Sequence, residues 1–194
     1  MEKNRKIEDQ NRRMDRIIEW VKVCDNKTSI LMSVVLLVPT FIIGTDWVLS
    51  KLEHIISLII DTLNSHGEGF CFSIVNFIVL LLLLSTITFT IMSFCFFLSV
   101  LKAKIKENTY GDDVKKESLV HFNNIAGITD FETYKRLIAE ETEDDYYEDL
   151  LSQTYINAKR CAEKFALYNK GLRWLGFAMI GLLLFILMLF FVQL

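Results

Sequence analysis

GFCFSIVNFIVLLLLLSTITFTIMSFCFFLSVL, residues 69–101, runs for 33 positions without a charged side chain. Hydrocarbon offers the backbone no hydrogen-bond partners, so such a stretch must satisfy its own peptide groups as a helix. At a rise of ~1.5 Å, about 20 residues cover the ~30 Å apolar core of a bilayer. Two more uncharged stretches, 28–45 and 174–194, bracket a charged middle. The fold class expected is an all-α membrane protein with three transmembrane helices: spans at about 28–45 and 70–101, and a third within 171–194.

Charge position orients these spans. Of 21 Lys and Arg residues, eight precede residue 28, one (Lys51) lies between the first two spans, and twelve lie from Lys102 to Arg173. Cytoplasmic loops collect Lys and Arg, so the N-terminus and the 102–173 segment are expected inside, the 46–68 connection and the C-terminus outside. The first 27 residues are too polar for a cleaved secretory leader. Cys24, Cys71, Cys95 and Cys161 show neither a CxxC nor paired ligand spacing, so no disulfide framework and no metal site is expected.

Residues 1–27 carry Ile7, Met14, Ile17, Ile18 and Val21 at helical spacing among Glu8, Arg12, Arg13 and Arg16, which predicts a cytosolic amphipathic helix leading into the first span. Pro39, inside that span, is expected to bend it. After Gly44-Thr-Asp46, the residues Val48, Leu52, Ile55, Ile59 and Leu63 form a second apolar stripe. Thr28–Asn64 and Gly69–Ile105 are 37 residues each, separated by Ser65-His66-Gly67-Glu68. Equal lengths predict a helical hairpin over 28–105 whose outer tip, 46–68, projects beyond the lipid; the stripe lying flat on the membrane is the other reading. From 106 to 170 the composition is cytosolic, with a connector containing Thr109-Tyr-Gly-Asp112. Capping-box signals at Thr129-Asp-Phe-Glu132 and Thr142-Glu-Asp-Asp145 open a short helix near 130–141 and a long one from about 143. No proline interrupts that long helix before the third span, 171–194.

Two strips of polar residues carry what chemistry there is. In the second span Asn76, Thr86, Thr90 and Ser93 fall within about 100° of one helix face. They either bond to a neighbouring helix or their own backbone, or line a water-filled pore that three spans per chain can enclose only as an oligomer. On the long helix Gln153, Asn157, Arg160 and Lys164 stack at spacings of four, three and four, with Lys159 nearby. Two amides beside cations suit a phosphate ligand with hydrogen-bonding bases. The plainer alternative is a solvated face opposite the seven acidic residues of Glu140–Asp149. The sequence shows no HExxH, GxSxG or Walker glycine loop, and the acidic cluster lacks calcium-loop spacing, so neither an enzyme nor a cofactor is expected.

Several short segments, taken in order, resemble the Pycsar-type transmembrane effectors. Asp25-Asn-Lys27-Thr-Ser29 is similar to that family's Asp-x-Lys-Ala signature ahead of the first span. His121-Phe-Asn123-Asn124-Ile-Ala, Tyr134 with Arg136-Leu-Ile, Asp149-Leu-Leu-Ser-Gln153 and Lys164-Phe165 resemble its Phe-x-x-Ile-Ala, Tyr-x-x-x-Leu, Asp-Leu-x-x-Gln and Lys-Tyr succession. The resemblance covers about 17–192. It implies an effector of bacterial anti-phage defence in the inner membrane, partnered with a cyclase or nucleotidyltransferase and controlled by its nucleotide product. Pycsar systems use cyclic pyrimidine mononucleotides, whereas the Hailong system has a membrane effector of similar layout governed by short oligodeoxyadenylate. This chain has no recognisable cyclic-nucleotide-binding β-barrel, which shifts the expected nucleotide site to the helix-borne residues: Gln153 and Lys164 first, then Asn157, Arg160 and Lys159, with Asn123 and Asn124.

The leading expectation is therefore a homo-oligomeric channel or permeabilising effector under nucleotide control, causing depolarisation and growth arrest. A non-channel scaffold that anchors partner proteins through its cytosolic helices is the alternative. A transporter is disfavoured because the spans hold no charged residue, which ion relays usually need.

Overall fold

The computed structural model describes residues 2–64, 74–102 and 118–192. Six helices follow in order: α1 (Glu2–Ile43), α2 (Asp46–Asn64), α3 (Ile74–Leu101), α4 (Phe122–Ala126), α5 (Phe131–Glu140) and α6 (Glu143–Leu189). Among the described residues there is no strand, and α1, α3 and α6 are long and apolar enough to cross a bilayer. The all-helical class with three candidate spans is as the sequence predicts. The chain divides into two compact units, one of Met1–Asn26 with Lys102–Ala166 and one of Lys27–Leu101 with Leu167–Leu194.

Burial along α1 follows one rule from end to end. Ile7, Gln10, Met14, Ile17, Val21, Cys24, Thr28, Leu31, Val35, Val38 and Ile42, alternating three and four apart, are the covered or half-covered positions. Such a 3.5-residue repeat keeps one seam of a helix against its neighbours, as in a coiled coil. On α6 the covered positions Gln153, Cys161, Gly171, Leu175, Ala178, Leu182, Phe185 and Leu189 keep a nearly identical repeat. A surface pair adds to α1, where Arg12 bonds Glu8 one turn earlier.

In the first unit the helix segments 2–26 and 143–166 run parallel, since Lys3 pairs with Asp144 and Asp25 with Lys164. Its interior is mostly polar. Gln10, Ser118, Asp149 and Gln153 are buried, and the buried apolar side chains are Cys24, Leu150 and Cys161. Asp149 is fully covered and its Oδ2 accepts the Leu119 and Val120 N–H groups at 2.8 and 3.3 Å. The Ser118 hydroxyl accepts from Val120 and His121, so two side chains fix the turn that leads into α4. Asp130, one residue later than the capping-box reading of Thr129 predicts, is the N-cap of α5 and accepts the Thr133 N–H at 2.8 Å. Aspartate is among the strongest N-caps, which explains the shift. The second box forms as read, Thr142 and Asp145 bonding each other's backbone N–H.

The second unit has the apolar core. Val35, Phe97 and Leu175 bring α1, α3 and α6 together, with Leu31, Met32, Phe94 and Tyr168 around them. A larger cluster joins Val48 and Ile55 of α2, Val79 of α3, and Leu182, Phe185, Leu189 and Val192 at the end of α6. The apolar stripe on α2 thus covers α6 as well as α3. Lys51 Nζ donates to the Val192 carbonyl, and Trp47 stacks on Phe190 at 5.0 Å.

The equal 37-residue arms are not continuous. Gly44 and Thr45 separate α1 from α2: the Gly44 N–H closes on the Thr40 carbonyl, the Thr45 hydroxyl donates to Ile42, and Asp46 starts a new helix with a carboxylate at its positive end. A Cβ at Gly44 would sit 3.0 Å from the Thr40 oxygen. Of the second arm, α3 is described from Ile74 to Leu101, with Lys102 a bend. The 65–68 turn, with His66, Cys71 at the start of the second arm, the side chain of Leu63, and the 103–117 connector lie outside the described residues.

Candidate functional site

The α6 strip does not face open solvent throughout. Gln153 is 5% exposed and lies on the covered seam, Asn157, Arg160 and Lys164 are half-buried, and Lys159 is exposed, its ammonium 5.4 Å from the Tyr155 ring. Four residues on one helix face are brought together as their spacing requires. Asn123 and Asn124 are half-buried on α4, where their carbonyls accept the Gly127 N–H.

Lys164 is already occupied. Its ammonium contacts both carboxylate oxygens of Asp25, at 2.6 and 2.8 Å, with side-chain exposures of 21% and 33%. Asp25 belongs to the first of the resemblance segments and Lys164 to the last, so residues 139 apart in sequence meet in one ion pair. Residue spacing within a helix gave no sign of this; the co-occurrence of both residues in short motifs was the signal. Buried Cys24 and Cys161 sit beside the pair in sequence. Burial raises the Cys161 thiol above its ordinary value, partly opposed by the Lys164 charge, so the thiol stays protonated and poorly nucleophilic. Arg160, one turn before Lys164, keeps its Nε buried with no hydrogen-bond partner among the described residues. Arg160 and Lys164 thus place two cations on one helix face, one with an unmet donor and the other paired to a carboxylate.

In the membrane unit the polar stripe of α3 is covered within the single chain. Ser93 is fully buried and donates to the Gly171 carbonyl at 3.0 Å; Thr90, half-buried, donates to the Thr86 carbonyl at 2.7 Å. Thr86 is 1% exposed and its hydroxyl lacks a partner among the described residues. Asn76 is 5% exposed. The helix that covers the stripe is α6, through its glycines: a Cβ at Gly171 would lie 2.6 Å from the Phe97 ring, and one at Gly181 2.7 Å from the Thr86 hydroxyl. Without a hydrophobic driving force between helices in lipid, such close approach at small residues is what gives dispersion contact its strength. The polar stripe marks this face in the sequence, but no pattern in α3 announces which helix covers it.

Among the described residues no group of three or more His, Cys, Asp or Glu could hold a metal. With the geometry in place, the Pycsar effector protein domain, PycTM, is the family that matches, over residues 9–192. The chain belongs to the PycTM family. A curated relative, the Pycsar effector protein GmPycTM of Gulbenkiania mobilis, is 44% identical over 63 residues. The match spans 32% of this chain and 32% of that relative, about a third of each length. No solved structure matches.

Proposed function

We propose that this chain is the oligomeric, membrane-permeabilising effector of an anti-phage system, seated in the bacterial inner membrane with its N-terminus inside and its C-terminus outside. A partner cyclase or nucleotidyltransferase supplies its signal, a cyclic nucleotide or a short oligodeoxyadenylate, which acts at the Gln153, Asn157, Lys159, Arg160 and Lys164 region, with Asn123 and Asn124. The observation that carries this reading is α6 itself: one unbroken helix, Glu143–Leu189, bears the cationic strip and then the apolar segment. A ligand on the strip would bind the same helix whose later turns cover the polar stripe of α3.

The stripe supplies the path. In the described arrangement Thr86 and Ser93 are shut against Gly181 and Gly171 of α6. Displacement of α6 uncovers Asn76, Thr86, Thr90 and Ser93 to line a pore between copies, since one chain has too few spans to enclose water. The ligand shifts this equilibrium only by its differential affinity for the two arrangements.

The test is a lock. Thr86→Cys with Gly181→Cys, in a chain whose native cysteines are replaced by serine, should cross-link on oxidation, abolish depolarisation read by a potential-sensitive dye, and regain it on reduction. An oxidised, cross-linked protein that depolarises like the reduced one would make the stripe a packing feature only. The exposed Trp20, Phe122 and Phe131 of the cytosolic unit favour a second reading, a scaffold for other proteins, under which expression leaves membrane potential unchanged.

A further inference from the structure

We infer that Asp25 is a built-in stand-in for the phosphate of the ligand: its carboxylate occupies the anion site on Lys164, and a nucleotide binds by displacing it. The inference rests on the proposed nucleotide control and assigns Asp25 a part in it that the strip alone does not contain.

Three observations in the cytosolic unit point this way. Lys164 Nζ is shared by both Asp25 oxygens, at 2.6 and 2.8 Å, which is how an ammonium sits between two oxygens of a phosphate. The pair is a fifth to a third exposed rather than sealed, so a solute anion reaches it without unfolding the helices. Arg160, on the adjacent turn of the same face, has a buried Nε with no acceptor among the described residues. A single carboxylate leaves that donor unmet. A terminal phosphate monoester, with one more free oxygen and up to one more charge than a carboxylate, satisfies Arg160 and Lys164 together, and the two free oxygens of a cyclic phosphodiester can be divided between them.

Exchange also explains how binding alters the helices. Asp25 lies on α1 and Lys164 on α6, so the resident ion pair ties the two parallel segments of this unit together. When a ligand phosphate takes Lys164, the tie on α1 is released while α6 gains the charge it lost. The pair is thus an internal competitor, and removing it should tighten binding by about tenfold, the middle of the range for coupled sites.

Binding of cyclic UMP, of 5′-phosphorylated deoxyadenylate trimer and of inorganic phosphate is measured by calorimetry on the full-length protein in detergent, for wild type, Asp25→Asn, Lys164→Gln and the exchange Asp25→Lys with Lys164→Asp. The inference expects wild type to bind one of the two nucleotides, Asp25→Asn to bind it about tenfold more tightly, and Lys164→Gln to lose it. The exchanged pair should recover wild-type thermal stability yet fail to bind, because its cation has moved to the other helix. The ligand concentration that half-switches depolarisation should fall in Asp25→Asn by the same factor as its Kd. If wild type binds and Asp25→Asn binds equally or less well while melting earlier, Asp25 is a structural partner and the exchange is wrong. If wild type binds neither nucleotide, the nucleotide reading itself fails and takes the exchange with it. Binding of inorganic phosphate alone, unaffected by either single variant, marks an adventitious ion only and also overturns the inference.

Discussion

The two units of this chain combine fit and directed bonds in different proportions. The membrane unit holds both apolar clusters and relies mainly on shape, with Thr28, Asn76, Thr86 and Ser93 buried among them: Phe97 fits over Gly171, Thr86 over Gly181, and Val48, Ile55, Leu182, Phe185 and Leu189 fill the space between α2, α3 and α6. The other unit buries Gln10, Ser118, Asp149 and Gln153 beside few apolar side chains and relies mainly on directed bonds. In lipid, apolar surface is as well accommodated outside the protein as inside, so only close fit separates one helix arrangement from another. In water a polar interior demands a partner for nearly every group. Shape tolerates a slide between two fits, whereas a polar network breaks in discrete steps. Under the proposed function, a charged ligand would act on the unit held mainly by directed bonds.

The largest expected effect belongs to the polar unit. Asp149→Ala removes the acceptor of two backbone N–H groups in a fully covered site, and should lower stability by about 3 kcal/mol, with loss of amide-exchange protection at Leu119 and Val120. Asp149→Asn, which keeps an acceptor, should recover part of it. Equal stability of Asp149→Ala and wild type would show that the turn is held by Ser118 alone and that the cytosolic unit depends less on its buried polar groups than the contrast implies.

Next comes the membrane unit. Gly171→Ala puts a methyl 2.6 Å from the Phe97 ring and Gly181→Ala one 2.7 Å from the Thr86 hydroxyl; overpacking of this kind costs about 2 kcal/mol each. Gly176, which has nothing within 4 Å of a built Cβ, should accept alanine silently. Phe97→Leu should rescue Gly171→Ala, and Thr86→Ala, which removes the hydroxyl, should rescue Gly181→Ala in part, in thermal melts in detergent. A Gly176→Ala variant as damaged as the other two would mean that helix propensity, not fit, sets these effects.

How far the sequence foretells this structure divides along the same line. Where water contrasts with apolar surface, as in α2 with its Val48, Leu52, Ile55 and Ile59 stripe or in the caps of α5 and α6, residue periodicity and cap chemistry locate the helices and their covered face. Inside the spans that contrast narrows to one polar stripe on α3: Phe97, one turn after Ser93, lies on that face, but which helix covers it is settled only by the glycines of α6. The 3.5-residue seam of α1 is legible up to Val21 for this reason and illegible beyond Thr28. At the candidate site, four helix-borne residues are readable from spacing, whereas Asp25 is not, because an ion pair across 139 residues leaves no local pattern.

A smaller effect attaches to Lys51. Its ammonium bonds the Val192 carbonyl, just past the last turn of α6, where the helix has unpaired acceptors and a negative end. Lys51→Met keeps the stem but removes the charge, and should cost about 1 kcal/mol and increase exchange at residues 187–192. An unchanged exchange pattern would leave the end of α6 to the apolar contacts of Trp47, Val48 and Phe190.

The smallest effect is a pH dependence confined to α5. The Thr133 backbone N–H and then its hydroxyl hold the Asp130 carboxyl below its ordinary value. A carboxylate whose folded value is depressed binds fewer protons when folded than when unfolded, so its contribution is complete above the unfolded value of about 3.9. It is lost as pH falls through the depressed folded value. Amide exchange at Thr133 and Tyr134, the first residues to feel the cap, should therefore lose protection between pH 4 and the acid limit of the folded protein, after correction for the intrinsic exchange rate. Asp130→Ser keeps a side-chain acceptor for the Thr133 N–H without a titrating group, so its protection should be flat over the same window. Since Asp130 is at the surface, salt and solvent keep the effect small and local. A parallel acid loss in Asp130→Ser would place the titrating group elsewhere in this unit and show that the cap is not its source.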